Sequence, residues 1–181
     1  MTVTYTVSAE DLLMYRLYLT SKSESHRKRR LRSRWLIPIL YVGLGVFIVV
    51  ATHKWLYGLV FVIFAIAWWW LQPMYNAYSY KNMYLKNIKK KYEDALGQET
   101  TLDISKKFVN IIEEAGQSSI KMKKFTTIIE VPTHFFLQMD NNNAVMVPKE
   151  AVSNSEEFIT EFKSYGLTYV DEKQWKWGGF K

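Results

Sequence analysis

The sequence predicts an α+β membrane protein: a two-helix transmembrane hairpin joined to a cytoplasmic antiparallel β-sheet, with the N-terminal strand added to that sheet and a C-terminal helix closing it. Three observations predict it. Residues 35–72 read WLIPILYVGLGVFIVVATHKWLYGLVFVIFAIAWWWLQ, apolar but for a short polar interruption. Lysines and arginines crowd both outer flanks of that stretch, and from Glu99 onward apolar residues recur with period 2 between turn residues.

The chain has 181 residues, 24 Lys plus Arg against 17 Asp plus Glu, no Cys, and 49% apolar residues. That length suits one compact domain and a smaller companion. Without cysteine there is no disulfide framework, no thiol nucleophile and no Cys-ligated zinc or iron–sulfur centre.

Residues 1–34 form the N-terminal part. Thr2-Val3-Thr4-Tyr5-Thr6-Val7 alternates polar and apolar residues, a strand pattern rich in β-branched side chains. Ser8, with Asp11 three positions on, has the spacing of a capped helix start, and the following helix would present Leu12, Leu13, Tyr15, Leu17 and Leu19. That helix either runs through Ser21 to Ser25 into the basic segment or breaks at this serine-rich stretch. Six cations then stand between Arg27 and Arg34: Arg27, Lys28, Arg29, Arg30, Arg32 and Arg34.

Residues 35–72 are too long for one span of a hydrocarbon core about 30 Å thick, but suit two helices, 35–52 and 55–72. His53 and Lys54 make the turn. Pro38 falls in the first turn of the first span, where a missing N–H costs little. A soluble helical hairpin would keep a polar stripe, and neither span has one. Trp35, Trp55, Trp68, Trp69 and Trp70 lie near the span ends, as an interfacial aromatic belt would have them. Gly43, Gly45 and Gly58 are candidates for close helix packing. No Asp, Glu, Lys or Arg lies inside either apolar run, which speaks against an ion path within one protomer. The charged segment ahead of the first run is unlike a signal peptide.

Charge sets the orientation. The arginine-rich run precedes the first span, and Lys81, Lys86, Lys89, Lys90 and Lys91 follow the second, while the turn carries only Lys54. The expectation is a two-pass protein of the cell membrane with both termini cytoplasmic. The same cations could contact anionic lipids, each worth roughly 1 kcal/mol near the leaflet. No nucleic-acid reading motif accompanies them, so no nucleic-acid partner is expected.

Residues 73–98 read as a lysine-rich connecting helix after Pro73, a candidate cytoplasmic extension of the second span, with Tyr75, Tyr78, Leu85, Ile88 and Tyr92 at helical spacing and Gly97 ending it. In 99–181 the candidate strands are 100–105, 108–113, 118–123, 127–130, 134–139 and 144–147. Glu114-Ala115-Gly116-Gln117 and Asp140-Asn141-Asn142-Asn143 supply turns, and Pro132 and Pro148 mark strand ends. Ser153 or Ser155 would cap a helix with Phe158, Ile159 and Phe162 inside, ending near Gly166. The expected product is a meander of five or six antiparallel strands, whose edge the N-terminal strand covers.

The basic entry to a two-span hairpin, the lysine-rich exit helix, the hairpin strands and the passage Ala144-Val145-Met146-Val147-Pro148-Lys149-Glu150-Ala151 before an acidic helix resemble bacterial YcxB-like membrane proteins. The resemblance implies a pleckstrin-homology-like (PH-like) C-terminal domain, and it implies no catalytic residues.

No enzyme motif is visible. His26, His53 and His134 are scattered, none with a second ligand at metal spacing, and His134 reads as a strand-surface residue. Glu113-Glu114 flank a turn, and Glu156, Glu157 and Glu161 form a solvated helix face. Lys106, Lys107, Lys121, Lys123, Lys124 and Lys149 give the sheet domain a candidate cationic face, with the last four as the candidate ligand face, although lysines serving as solvated strand residues are the leading reading. The region 99–181 has 10 Lys against 12 acids, a net of −2, so such a face requires segregation. The tail Trp175-Lys176-Trp177-Gly178-Gly179-Phe180 is expected to pack on the sheet, ahead of a membrane-interface or partner role. The leading expectation is a non-enzymatic, cofactor-free, membrane-tethered binding or scaffolding module at the cytoplasmic face, with anionic lipids as partners. The alternatives are an accessory subunit, packing through the hairpin on another membrane protein or a second copy, and a membrane-bound enzyme acting on lipid headgroups.

Overall fold

A computed structural model describes residues 1–91, 96–114 and 116–178. The chain divides into two compact units: residues 1–16 with 84–176, and residues 17–83 with 177 onward. The first unit thus takes in residues from both sides of the hairpin.

The first unit is built from two four-stranded sheets rather than one meander. β1 (Thr2–Thr6), β2 (Glu99–Ile104), β3 (Phe108–Glu113) and β4 (Gly116–Lys121) form the first, in sequence order and antiparallel throughout. β1 lies beside β2 with Val3 opposite Leu102, as the alternation predicts, although the whole hairpin intervenes in sequence. β5 (Phe125–Glu130), β6 (His134–Met139), β7 (Ala144–Pro148) and β8 (Thr168–Asp171) form the second in the order β7-β6-β5-β8. The chain changes sheet at a 3-10 turn, Met122–Lys124, so β4 and β5 are not neighbours. β8 was not expected. It pairs parallel with β5, and its signal, Thr168-Tyr169-Val170 just after Gly166, is too short for period 2 to register.

The inner faces make one core, including Leu102, Val109, Ile128, Phe135, Leu137 and Val147. α4 (Ser155–Ser164) closes it with Phe158, Ile159 and Phe162, and the Phe135 and Phe158 rings lie 5.0 Å apart. Its cap is Asn154 rather than either serine: the Asn154 side chain accepts from the N–H groups of Glu156 and Glu157 at 3.1 and 3.3 Å.

β6 reads HFFL without alternation because both faces are covered. Phe135 and Leu137 face the core. On the other face Phe136 meets Tyr15 of α1 (Ala9–Lys22) edge-on at 5.0 Å. α1 starts at the expected capping box: Asp11 N–H donates to Ser8 Oγ at 3.2 Å, and Ser8 N–H returns a bond to Asp11 Oδ2 at 2.7 Å.

In the second unit the chain breaks at Ser23, then runs as α2 (Glu24–Thr52) and α3 (Trp55–Lys91), two helices long and apolar enough to cross a membrane. Only 6% and 11% of their most apolar 18-residue stretches are buried, whereas a soluble core helix is mostly covered. Pro38 and Pro73 both lie inside continuous helix. The expectation that Pro38 opens a helix is therefore corrected: α2 starts far upstream in the basic run, and Pro38 leaves the Arg34 carbonyl without its i+4 donor. His53, at φ 54°, caps α2 with its N–H on Val49 O at 2.8 Å, and α3 starts two residues later. The expected helix end over 92–95, Ala115 of the expected turn, and Gly179 and Phe180 of the tail lie outside the described residues.

Candidate functional site

The hairpin glycines differ in what they meet. A Cβ on Gly45 would lie 2.9 Å from Phe61 Cβ, and one on Gly58 would lie 2.8 Å from Val49 Cγ2. Those two glycines are used inside the hairpin, letting α2 and α3 approach. Gly43 has nothing within 4 Å. Near the cation-bearing end, the Arg34 guanidinium lies over the Trp69 ring at 4.0 Å, and buried Gln72 donates to Ser33 Oγ at 2.8 Å. Arg27, Lys28, Arg29 and Arg32 are exposed on α2, as are Lys81, Lys86, Lys89, Lys90 and Lys91 on α3. Arg30 is half-buried and donates to Thr20 O at 3.3 Å. Trp35, Trp55, Trp69 and Trp70 are exposed, and Trp68 is half-buried.

In the tail, Trp177 packs on α3: its indole N–H donates to Ala77 O at 3.0 Å, and its ring meets Tyr80 edge-on at 6.3 Å. An indole needs both an apolar bed and an acceptor, and a helix carbonyl beside a tyrosine supplies both.

Within the sheet unit, polar groups gather in three places. In the first, His134, expected at the strand surface, is buried. Its Nε2 donates to Asp11 Oδ1 at 2.7 Å, and its Nδ1 meets Thr133 Oγ1 at 2.7 Å. Burial raises the Asp11 carboxyl, but the bonds from His134 and Ser8 outweigh it and hold it below the ordinary range. With both ring nitrogens engaged, the imidazole clamps α1 to β6.

In the second, Glu130 on β5 is a buried carboxylate ringed by donors. Lys149 Nζ lies at 2.6 Å, the Tyr169 hydroxyl at 2.7 Å and Lys173 Nζ at 3.3 Å. Burial raises this carboxyl too, and the Lys149, Tyr169 and Lys173 contacts pull it below the usual range. Burial and Glu130 together push the Tyr169 phenol up. Lys149, one of the four candidate ligand-face lysines, has its charge matched by Glu130 and anchors the end of β7.

The third gathering is the remaining lysines. Lys106 and Lys107 form the β2–β3 turn, and Lys121, Lys123 and Lys124 carry the passage from β4 to β5. The two segments touch: Lys121 stands opposite Phe108, and Met122 N–H donates to Lys107 O at 2.9 Å. All five lysines are exposed, and among the described residues none forms an ion pair. The sequence groups these lysines on one candidate cationic face, and the β3–β4 pairing with the Met122–Lys107 bond supplies the contact between their two segments. No group of three or more metal-ligating side chains occurs among the described residues.

Fold and site together define an α+β protein with two apolar helices long enough to span a membrane and a two-sheet domain bearing one segregated lysine cluster. Residues 104–163 match the family model described as YcxB-like protein, so the resemblance read from the sequence is shown over the segment from the end of β2 into α4. No curated protein and no solved structure matches the chain significantly.

Proposed function

We propose that this chain is a two-pass protein of the cell membrane that holds a PH-like, non-enzymatic binding or scaffolding domain at the cytoplasmic face. The observation that carries the reading is the pairing of β1 with β2: the strand before the apolar hairpin and the strand after it share one register, Thr2 opposite Asp103 through Thr6 opposite Glu99. If the hairpin inserts, both flanks return to the same side. The exposed apolar surfaces of α2 and α3 supply the drive to insert, since in water they would form an uncovered patch far beyond what a soluble monomer tolerates. The cations at the end away from the His53–Lys54 turn support a cytoplasmic location for those flanks. Two packed sheets closed by α4 support the PH-like reading.

Tethering is the mechanism. A domain held beside a leaflet meets it at high effective concentration, so weak contacts suffice. Gly43, open on the α2 surface, favours a second reading in which the hairpin also packs on another helix.

The chain has no cysteine, so single substitutions report cleanly. With an impermeant maleimide on intact cells, Lys54→Cys is expected to label from outside, and Ser119→Cys only after lysis. Release of the chain by alkaline carbonate would sink the insertion reading, and the reverse labelling pattern would sink the orientation.

A further inference from the structure

We propose that the lysine cluster of the sheet domain is a second lipid contact, an electrostatic and aromatic foot that rests on the phosphates of an anionic leaflet, separate from the juxtamembrane arginines. The proposal rests on the membrane reading above, which keeps the domain beside a leaflet.

Three observations carry it. First, segregation: Lys106, Lys107, Lys121, Lys123 and Lys124 converge from two segments that a backbone hydrogen bond, Met122 N–H to Lys107 O, locks together. In a region of net negative charge this is a local excess of exposed cations, and such an excess creates a positive potential that favours an anion beside it. Second, the β2–β3 tip is held by Ser105, whose N–H donates to Phe108 O at 2.9 Å and whose hydroxyl accepts from Phe108 N–H at 3.2 Å. Neither tip residue has positive φ, so this tight turn carries two lysines where hairpins favour Asn-Gly. Third, Phe108 stands opposite Lys121 with 38% of its surface exposed. An aromatic ring beside several flexible ammonium groups suits the boundary between headgroups and acyl chains. Asp140 is the neighbouring acid: its backbone N–H donates to Lys124 O at 3.3 Å, and among the described residues its carboxylate forms no ion pair.

The ligand chemistry is a phosphate oxyanion, and the lipid is its source. Lysine ammonium groups act as point charges without the fork geometry of arginine, so the site would select charge density rather than one headgroup.

The test uses the full chain in nanodiscs, read by hydrogen–deuterium exchange at 105–108 and 121–124. Discs of phosphatidylcholine alone are compared with discs containing phosphatidylglycerol, and with neutral discs plus inorganic pyrophosphate. Exchange in both segments is expected to slow roughly tenfold in the anionic discs only, and the effect to fade as the Debye length falls from about 30 Å at 0.01 M salt to about 3 Å at 1 M. A variant with all five lysines changed to Gln should lose the protection, and the matching Arg variant should keep it, with β6 exchange unchanged in both as the sign of an intact fold. Protection by pyrophosphate but not by anionic discs would overturn the lipid assignment. Equal exchange in all three conditions, or full protection in the Gln variant, would overturn the site. Failure of the membrane reading would register separately, as release of the chain by alkaline carbonate.

Discussion

Two buried carboxylates each hold the end of one element. Asp11 joins the start of α1 to β6 through His134, and Glu130 joins β5 to Lys149 beyond β7, to Tyr169 on β8 and to Lys173. Both carboxyls are depressed in the folded state. A depressed acid contributes stability that is present above its unfolded value, about 4, and that is lost as pH falls through the lower folded value. The sheet unit is therefore expected to keep its thermal stability from neutral pH to about 4 and to lose it below. Circular dichroism in detergent checks this, and Asp11→Asn should lower stability at neutral pH by about 1–3 kcal/mol and flatten the acid limb. An unchanged limb would mean that Asp11 is not held by His134. Of this chemistry only the Ser8–Asp11 box was legible, because its partners are three residues apart. His134 lies 123 residues from Asp11, and no local pattern announces such a pair.

Among the elements, the helices were legible as apolar blocks but their ends were not. Hydropathy marks the stretch that must avoid water, whereas α2 begins well upstream of it in the arginine-rich run and α3 continues past Pro73 into lysine-rich turns. The glycines show the same division: sequence offered three equivalent candidates, and packing separates them. On Gly45 an added methyl meets Phe61 Cβ, an atom too near the backbone to move aside, whereas on Gly43 it meets nothing. Gly45→Ala is expected to lower hairpin stability in detergent by about 1–3 kcal/mol, while Gly43→Ala should be neutral or gain up to about 1 kcal/mol from helix propensity. Urea unfolding of the two variants side by side decides it, and equal values would mean the helices do not approach at Gly45. In the sheets, strand positions came through with shifts of one or two residues. The partition into two sheets did not, since period 2 reports which way side chains point and is silent about which strand lies beside which.

At the scale of the whole molecule, the domain is discontinuous: β1 is made before the hairpin and completes a sheet whose other strands follow it. Val3 is buried opposite Leu102, while Thr4 points outward. Val3→Asp should therefore destabilise the sheet unit by about 3 kcal/mol or more, because it leaves a carboxylate unpaired in the core, and Thr4→Asp should change it by no more than about 0.5 kcal/mol. Thermal unfolding of both variants tests the assembly, and a neutral Val3→Asp would detach β1 from the domain. Sequence by itself determined the two apolar helices, the short turn between them, the cation asymmetry, most of the strands and the acidic closing helix. Those are properties of contiguous residues, set by transfer free energy, periodicity and turn chemistry. Only the tertiary structure decided which lysines share a patch, that Lys149 is matched by a buried glutamate, that His134 faces a carboxylate from the N-terminal helix, and that Trp177 rests on α3. Those depend on contacts between residues far apart in the chain, which form only once strands and helices have chosen their neighbours.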